Sequence, residues 1–214
     1  MDALAAVPVS TLCDVDKSLP VVDPALRPLT ATARICGPAY TVVAAGEFLS
    51  TLWAIGEASP GDVLVVQAGG APLAALGELL ATEALRRGLG GIVVDGYVRD
   101  RSGLPPEFPL WALGTVPMAG RSDIAPRVGG PILFGGLRVS PGDVVLADDD
   151  GIVIAPRAQL QACLERAAQI EQTEAAVLGG IQRGESLIEM TNLVEHVAAL
   201  RRGESSALAI TPPS

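Results

Sequence analysis

The sequence predicts an α/β fold, a single core domain followed by a C-terminal helical extension. Hydrophobic residues make up 49% of the 214 residues and charged residues only 18%, which is typical of a chain that folds around a sizeable core. Short runs of Val, Leu and Ile recur between Gly, Pro and Asp turns, and one helical pattern stands between two of these runs. No low-complexity linker divides the chain. We therefore expect a core over residues 1–158 and an extension over residues 159–214 that belongs to the same domain.

The N-terminal third of the chain alternates between predicted helices and strands. Residues 3–16 predict a short helix, and the Pro- and Asp-rich residues 20–30 predict a loop. TARICGPAYTVVAAG, residues 32–46, predicts a strand or a pair of strands hinged at Gly37-Pro38. Residues 48–58 predict a further helix.

A strand–helix–strand unit is predicted next. After the turn Pro60-Gly61-Asp62, residues 63–68 (VLVVQA) predict a buried strand that ends at the glycine-rich break of residues 69–72. The following helix is predicted by leucines along one side and a glycine after its end: Leu76, Leu79, Leu80, Leu85 and Gly88. The run GGIVVDG, residues 90–96, predicts a second buried strand that continues into residues 97–100. This order is typical of a βαβ unit.

The second half of the chain predicts short strands and then helices. Apolar segments separated by Gly, Pro and Asp turns occupy residues 110–114, 132–140 and 143–156. Asp148-Asp149-Asp150-Gly151 lacks the remaining ligands of a calcium loop, and it predicts a hairpin turn. Helical patterns follow over residues 159–179 and 182–202.

Charge and cysteine content disfavour several classes of function. A net charge of -9 disfavours binding to nucleic acid or to an anionic membrane. Cys13, Cys36 and Cys163 are widely spaced and odd in number, so neither a disulfide framework nor a zinc knuckle fits. The sequence shows no signal-peptide pattern and no apolar run long enough to span a membrane, and we expect a cytoplasmic protein.

Arg99-Asp100 is the strongest local signal for chemistry. The two charges end an apolar strand, and strand ends are where α/β folds place ligand sites. An arginine offers a planar fork to a carboxylate, and an aspartate offers a hard oxygen to Mg²⁺ or Mn²⁺. A solvent-exposed ion pair at a strand end accounts for the pattern equally well.

Glu78 is the second candidate because it stands near the start of the predicted helix. Backbone N–H groups at Leu79 and Leu80 would have no partner inside that helix and would suit an anion. Glu78 could also be a partner of the helix dipole without any catalytic role. In a βαβ unit the helix start and the end of the second strand can lie at one edge of the sheet, so Glu78 is expected close to Arg99 and Asp100.

The stretch GELLATEALRRGLGGIVVDGYVRD, residues 77–100, resembles the RraA-like family. The resemblance extends through GPAYTV at 37–42, PGDVLVV at 60–66 and PGDVVLADDDGIVIAP at 141–156, which keep the family's order. It implies a β/β/α swivelling-type domain that assembles as a homotrimer or a homohexamer. The family includes metal-dependent 4-hydroxy-4-methyl-2-oxoglutarate aldolases and oxaloacetate decarboxylases, and also the non-catalytic regulator of ribonuclease E activity.

The resemblance also implies roles for individual residues. Catalytic members have an acid, twenty intervening residues and then Arg-Asp, which Glu78, Arg99 and Asp100 match, whereas the regulator type has Gly in place of the acid. Asp100 is implied to hold the metal partly through waters, and Arg99 to contact the 2-oxo acid. The substrate carboxylate is implied to bind at Gly77 and at the amides of Leu79 and Leu80. A glutamate from a neighbouring subunit is also implied, for which Glu171 and Glu174 are both candidates.

These residues predict a class II pyruvate aldolase with oxaloacetate decarboxylase activity. Both reactions pass through an enolate of pyruvate, which a divalent metal and Arg99 would stabilise while Glu78 orders a proton-relaying water. The single lysine, Lys17, lies in a Pro/Asp-rich region, which disfavours a Schiff-base aldolase. The alternatives are a protein-binding regulator of ribonuclease activity and a family member without catalysis.

Overall fold

The computed structural model describes residues 1–211. The chain divides into two compact units, Met1–Leu164 and the part that begins at Glu165. The first unit contains a seven-stranded sheet and the second unit is helical. The division that the sequence places after residue 158 stays a prediction about domains.

The helices and strands follow the predicted order. The helices are α1 (Asp2–Ala6), α2 (Val9–Val15), α3 (Leu49–Glu57), α4 (Glu78–Arg86), α5 (Arg157–Gln182) and α6 (Leu193–Arg201), with a 3₁₀ turn at Arg101–Gly103. The strands are β1 (Arg27–Pro28), β2 (Ile35–Val43), β3 (Val63–Gln67), β4 (Gly91–Val98), β5 (Leu110–Thr115), β6 (Ile132–Phe134), β7 (Leu137–Val139), β8 (Val144–Asp148) and β9 (Gly151–Ala155).

The large sheet has the strand order β1-β5-β4-β3-β2-β8-β9. The four central strands, β5, β4, β3 and β2, are parallel to one another. At the edges of the sheet the pairing is antiparallel, between β1 and β5, β2 and β8, and β8 and β9. The first part of β2, Ile35–Pro38, pairs with β8, and the second part, Ala39–Val43, pairs with β3. The segment predicted as one strand or a hinged pair is therefore one continuous strand whose partner changes after Gly37-Pro38.

Both faces of the parallel strands are buried, which explains why their sequences are continuous apolar runs. On one face, Leu64 and Val66 of β3 belong to a cluster that includes Ala54 and Ala84 from helices α3 and α4. On the other face, the neighbouring β3 valines belong to a second cluster, whose largest side chains are Trp111 and Phe134. Parallel strands buried on both faces do not show polar alternation.

Helix α4 differs from its prediction in its start and in the exposure of one leucine. It begins at Glu78, whereas the sequence pattern placed Leu76 and Gly77 inside the helix. Of the predicted leucines, Leu76 is buried and Leu80 and Leu85 pack partly buried against the core, whereas Leu79 is 78% exposed. The fully buried residues within the helix are Ala81 and Ala84.

Two predicted helices are shorter than expected. The helix predicted over residues 3–16 is broken, because Val7 is extended before Pro8 and proline disfavours a helical residue in front of it. Helix α6 begins only at Leu193, not near residue 182. Gly184 has a φ of 90°, and the amide of Glu185 donates to the carbonyl of Gly180, which ends α5 in a turn.

The hairpin turn predicted at residues 148–151 is confirmed, and β6 and β7 form a second hairpin. Strands β6 and β7 pair antiparallel, and so do β8 and β9, where Asp148 lies opposite Gly151 across the turn. The Asp148 carboxylate accepts a hydrogen bond from the amide of Val9 at 2.8 Å, so it anchors helix α2. Over the described part of the chain, residues 1–211, none of the helices combines the length and the apolar character needed to cross a membrane.

Candidate active site

The end of β4 and the start of α4 lie side by side because an extended segment joins them. The backbone of Ala74–Leu76 runs along the end of β4, where the amide of Ala75 donates to the carbonyl of Tyr97 at 2.9 Å. The amide of Arg99 donates in turn to the carbonyl of Leu76 at 3.0 Å. The glycine-rich break after β3 therefore returns the chain to the edge of the sheet, and α4 begins next to the Arg99-Asp100 pair.

Asp100 has a strained backbone at the point where β4 ends. Its φ of 57° and ψ of 42° are left-handed, and among the described residues it is the one non-glycine with a positive φ. Aspartate tolerates this conformation better than most residues, and strained residues cluster at ligand sites. The conformation turns the chain into the 3₁₀ helix directly after the strand, so the carboxylate stays at the sheet edge.

Arg99 and Asp100 form the ion pair that the sequence allowed as an alternative. Arg99 Nε lies 3.2 Å from Asp100 Oδ2, and the two side chains are 42% and 43% exposed. An exposed pair of this kind contributes little to folding stability. Both groups are accessible to a ligand, and a ligand carboxylate could take the place of Asp100 beside the guanidinium.

The N-terminus of α4 supplies backbone donors to the same place. Gly77 is the N-cap residue and has no side chain to cap the helix, and the amide of Ala81 is the first to bond back, to the carbonyl of Gly77 at 3.1 Å. The amides of Glu78, Leu79 and Leu80 thus have no partner within the helix. This arrangement suits a carboxylate.

A cavity of about 180 Å³ opens between these groups. Its polar side is formed by Gly77, Arg99 and Asp100. Its remaining lining is apolar and comprises Phe48, Ala74, Leu76, Leu79, Leu80 and Ala119. Five predicted residues, namely Gly77, Leu79, Leu80, Arg99 and Asp100, therefore meet at one cavity.

Glu78 lies beside this cavity and does not line it. Its carboxylate packs against Gly103, where a Cβ would collide with it. Gly103 belongs to the turn that starts at Asp100, since its amide donates to the Asp100 carbonyl at 2.9 Å. Glu78 is therefore close to the turn that carries the aspartate, as the βαβ geometry suggested, and its catalytic role stays a prediction.

Gly77 allows the Asp100 carboxylate to lie against the start of α4. A Cβ at position 77 would lie 2.5 Å from Asp100 Oδ2 and 2.8 Å from Arg99 Cγ, so only glycine permits this close approach. Within residues 1–211, no three His, Cys, Asp or Glu side chains are grouped so that they could hold a metal ion by themselves. One hard carboxylate with several waters is a common way to bind Mg²⁺, and Asp100 offers that donor.

Asp95 is a partly buried carboxyl group that sequence reasoning missed. Burial raises the pKa of Asp95, although the amides of Gly69 and Ala68 donate to its carboxylate and act in the opposite direction. Asp95 holds the start of the glycine-rich loop that leads to Gly77. An acid inside the apolar run GGIVVDG was the available signal for it.

Phe48 and Ala119 were also missed, and no pattern in the sequence marks them. Ala119 lies at the site because Ala74 forms β-bridges with both Ala119 and Tyr97. Phe48 lies there because its amide donates a hydrogen bond to the carbonyl of Arg121, two residues after Ala119. Such contacts between distant segments depend on the tertiary fold.

The remaining polar groups named from the sequence are two glutamates and three cysteines. Glu171 and Glu174 lie on the part of α5 that belongs to the second compact unit, and their part in the site stays a prediction. Burial raises the pKa of the Cys13, Cys36 and Cys163 thiols, which disfavours the thiolate form that a nucleophile needs.

Known proteins with similar sequences include named aldolases. Residues 9–154 match the RraA-like family, described as Aldolase/RraA. A Halalkalibacterium halodurans protein named "Putative 4-hydroxy-4-methyl-2-oxoglutarate aldolase" is 34% identical over 173 residues, which cover 79% of this chain and 82% of that protein.

Two solved structures carry names from the regulator branch. Streptomyces coelicolor RraAS2, described as an unusual member of the RNase ES inhibitor RraA protein family, is 33% identical with a TM-score of 0.72, over 81% of this chain and 92% of its own. The RNA-processing inhibitor RraA from Thermus thermophilis is 29% identical with a TM-score of 0.65, over 70% of this chain and 92% of its own. The match over residues 9–154, together with the shared fold, confirms the resemblance seen in the sequence: the chain belongs to the RraA-like family.

Proposed function

We propose that the protein is a divalent-metal-dependent pyruvate aldolase. It would cleave 4-hydroxy-4-methyl-2-oxoglutarate or a related 4-hydroxy-2-oxo acid and would also decarboxylate oxaloacetate. The observation that carries the proposal is the meeting of Arg99, Asp100 and the open N-terminus of α4 at one cavity. Relatives named as aldolases at about one-third identity support it.

The protein's own groups can bind and orient a 2-oxo acid. The amides of Leu79 and Leu80 and the guanidinium of Arg99 provide positive potential for the substrate carboxylate and for the negative charge that develops on cleavage. Asp100 would hold Mg²⁺ or Mn²⁺ together with waters, and the bound metal would act as a Lewis acid at the 2-oxo group. The remaining walls of the cavity are apolar, and charges interact more strongly beside apolar walls than in open water.

Proton transfer is the role proposed for Glu78. Its carboxylate lies against the turn that carries Asp100 and outside the cavity lining, a position that suits action through an ordered water. The water would take the proton of the C4 hydroxyl during aldol cleavage. Glu171 or Glu174 of a neighbouring subunit would complete the site in a homotrimer or homohexamer, as family membership suggests.

Pyruvate release by the purified chain tests the proposal. The substrates are 4-hydroxy-4-methyl-2-oxoglutarate and oxaloacetate, each assayed with Mg²⁺ and with a chelator. We expect turnover of both that is lost with the chelator and restored by Mg²⁺ or Mn²⁺. Absence of turnover with either substrate and either metal would contradict the proposal.

A regulator of ribonuclease activity is the second candidate, because two of the similar solved structures are named as RraA inhibitors. The same preparation should be added to a ribonuclease E cleavage assay. Inhibition of cleavage without any pyruvate release would favour the regulator. Glu78 favours the enzyme, since the regulator type is expected to have glycine at this place.

A further inference from the structure

Strand β4 changes its partner along the edge that faces away from β5. This edge pairs with β3 up to Val94. From Tyr97 onward it pairs with the segment of residues 74–76 instead. Asp95 and Gly96 stand between the two partners, where the register of β4 against β5 also shifts. The chain that leaves β3 must therefore cross this gap before it reaches β4 again.

Asp95 holds the chain at the gap through three successive backbone amides. The amides of Ala68 and Gly69 both donate to the carboxylate oxygen Oδ1, the second at 3.1 Å. The amide of Gly70 donates to the Asp95 carbonyl, also at 3.1 Å. The two glycines have φ values of 67° and 69°, so the chain turns sharply away from β3. Successive amides that converge in this way form a concave site for an anionic oxygen, which the chain fills with its own aspartate.

Gly96 allows the loop to lie directly on β4 beside Asp95. A Cβ at position 96 would lie 2.5 Å from the Cβ of Ala68, which is buried. The start of the loop is thus packed against the gap, and the Asp95 hydrogen bonds fix its orientation there.

The position of this loop determines where α4 begins. The loop returns to β4 at Ala74, and two residues later the carbonyl of Leu76 accepts a hydrogen bond from the amide of Arg99 at 3.0 Å. Gly77, the N-cap of α4, follows directly. Glycine-rich segments specify their register weakly, so this segment needs a further contact to keep it from sliding along β4. A slip would move the first amides of α4 away from Arg99 and Asp100.

We propose that Asp95 is a positioning residue for the reaction, because its carboxylate fixes the loop of residues 68–73 and thereby the register of residues 74–76 on β4. The inference rests on the proposed function, since the groups that are positioned are those proposed to bind the 2-oxo acid. Asp95 is not among the described residues that line the cavity, so it acts through the loop. What the loop requires is an oxygen that accepts hydrogen bonds, and not a negative charge.

Two substitutions of Asp95 separate hydrogen-bond acceptance from charge. Asparagine keeps one oxygen for the two amides, whereas alanine has none. We expect Asp95→Ala to lower kcat/KM for pyruvate release with Mg²⁺ by about 10²-fold, the loss that a displacement of about 1 Å at a site can cause. Asp95→Asn should keep most of the original kcat/KM. A loss in the asparagine variant as large as that in the alanine variant would show that the charge is needed and would overturn the inference.

Asp148→Ala is the matched control. Asp148 also accepts hydrogen bonds from two backbone amides, those of Val9 at 2.8 Å and Asp150 at 3.1 Å, but it lies at the turn between β8 and β9. Its substitution should leave kcat/KM unchanged. A loss equal to that of Asp95→Ala would contradict a role specific to the site.

Hydrogen exchange tests the inference without turnover. The amides of Ala75 and Arg99 make the hydrogen bonds that join residues 74–76 to β4, and they report on this register directly. In Asp95→Ala they should exchange faster by about 10-fold or more, because the loop has lost its acceptor, while the amides of β8 and β9 keep their rates. Asp95→Asn should retain slow exchange. Unchanged exchange at the two amides, or equal acceleration throughout the sheet, would overturn the inference, whereas absence of turnover in the original chain would refute the aldolase alone.

A substitution on the loop tests the same contact if Asp95→Ala does not fold. In Gly69→Ala the new Cβ meets nothing within 4 Å, so only the strain of alanine at a φ of 67° acts on the loop. We expect the Ala75 and Arg99 amides to exchange faster by about 5-fold. Gly136→Ala in the turn between β6 and β7 is the control, since its φ is 83° and its surroundings are equally open. It should leave these two amides unchanged, and equal rates in the two variants would overturn the inference.

Discussion

At the residue scale, the candidate site depends on one strained aspartate and the glycine opposite it. Asp100 has the left-handed conformation that ends β4, and Gly77 allows its carboxylate to lie close to the start of α4. Neither feature stabilises the fold, since a left-handed non-glycine residue costs about 1 to 2 kcal/mol. A cost of this kind at an exposed carboxylate is typical of a ligand site.

Removal of the Asp100 carboxylate should abolish metal-dependent turnover. Asp100→Ala loses the anionic oxygen donor, and we expect pyruvate release to fall by about 10³-fold or more, because the metal supplies several kcal/mol of charge stabilisation. Asp100→Asn is the matched control for the backbone, since asparagine also tolerates the left-handed region. Both variants should fold, and both should lose Mn²⁺ binding in titrations. Wild-type turnover in either variant would refute the role of Asp100.

Arg99→Lys should lose most activity although the charge is kept. A lysine ammonium cannot present two parallel donors to a carboxylate, so kcat/KM should fall by about 10²-fold. Steady-state kinetics with saturating Mg²⁺ measures the change. An unaltered kcat/KM would show that the fork of the guanidinium is not used.

Asp95 should make folding stability depend on pH. Because its pKa is raised in the fold, the native state holds a proton that the unfolded chain has already released, and stability falls as pH rises from the ordinary Asp pKa through the raised value. Asp95→Asn should therefore gain stability relative to the original chain across this window. The free energy of unfolding should change with pH by less than about 1.4 kcal/mol per pH unit, the value for release of one whole proton. Solvent screens this partly exposed carboxyl group and so limits the effect. Urea unfolding of both proteins from about pH 4 to about pH 7 tests this, because the window begins near the ordinary Asp pKa. If the free energies of unfolding of the two proteins changed with pH in parallel, the prediction would be contradicted.

At the scale of elements, the unit β3-α4-β4 positions the site. Its strands are parallel neighbours, and Ala74–Leu76 adds a short paired segment at the end of β4. Helix α4 ends at a turn in which Gly88 has a φ of 73°, and the amide of Leu89 donates back to the carbonyl of Ala84. The two helix ends therefore have different roles, since the first faces the cavity and the second only stops the helix.

Two glycine-to-alanine substitutions should change stability in opposite directions. Gly56 is exposed inside α3, and a Cβ added there would have nothing within 4 Å, so Gly56→Ala should raise the free energy of unfolding by about 0.5 to 1 kcal/mol. Gly88→Ala should lower it by about 1 kcal/mol, because alanine is disfavoured at positive φ. Chemical denaturation measures both, and each serves as the control for the other. Changes of the same sign would contradict the helix geometry.

At the scale of the whole molecule, we propose that the active site is shared between subunits. Within the first unit, the cavity lining has one carboxylate, Asp100, and one cation, Arg99. Waters around a metal need further partners to orient them. Glu171 and Glu174, three residues apart on α5, lie on one face of that helix and are the proposed donors from a neighbour.

Mixed oligomers test the shared site. An Asp100→Ala protein and a Glu171→Ala/Glu174→Ala protein are each expected to be inactive. After the subunits are dissociated and reassembled together, some interfaces pair an intact Arg99-Asp100 with an intact glutamate, and a fraction of the original activity should return. Mixed oligomers that are confirmed by mass and stay inactive would count against a shared site.

Local patterns in the chain were enough to predict the order of the elements, the βαβ unit, the family and the residues at the end of β4. They suffice because a buried parallel strand must be an apolar run and a turn must contain residues that tolerate it. The folded chain was needed to establish that Leu79 of α4 is exposed and that Glu78 lies against Gly103 beside the cavity. It was also needed to find Phe48 and Ala119 in the cavity wall. These features depend on contacts between segments far apart in the chain, and no local pattern records such contacts.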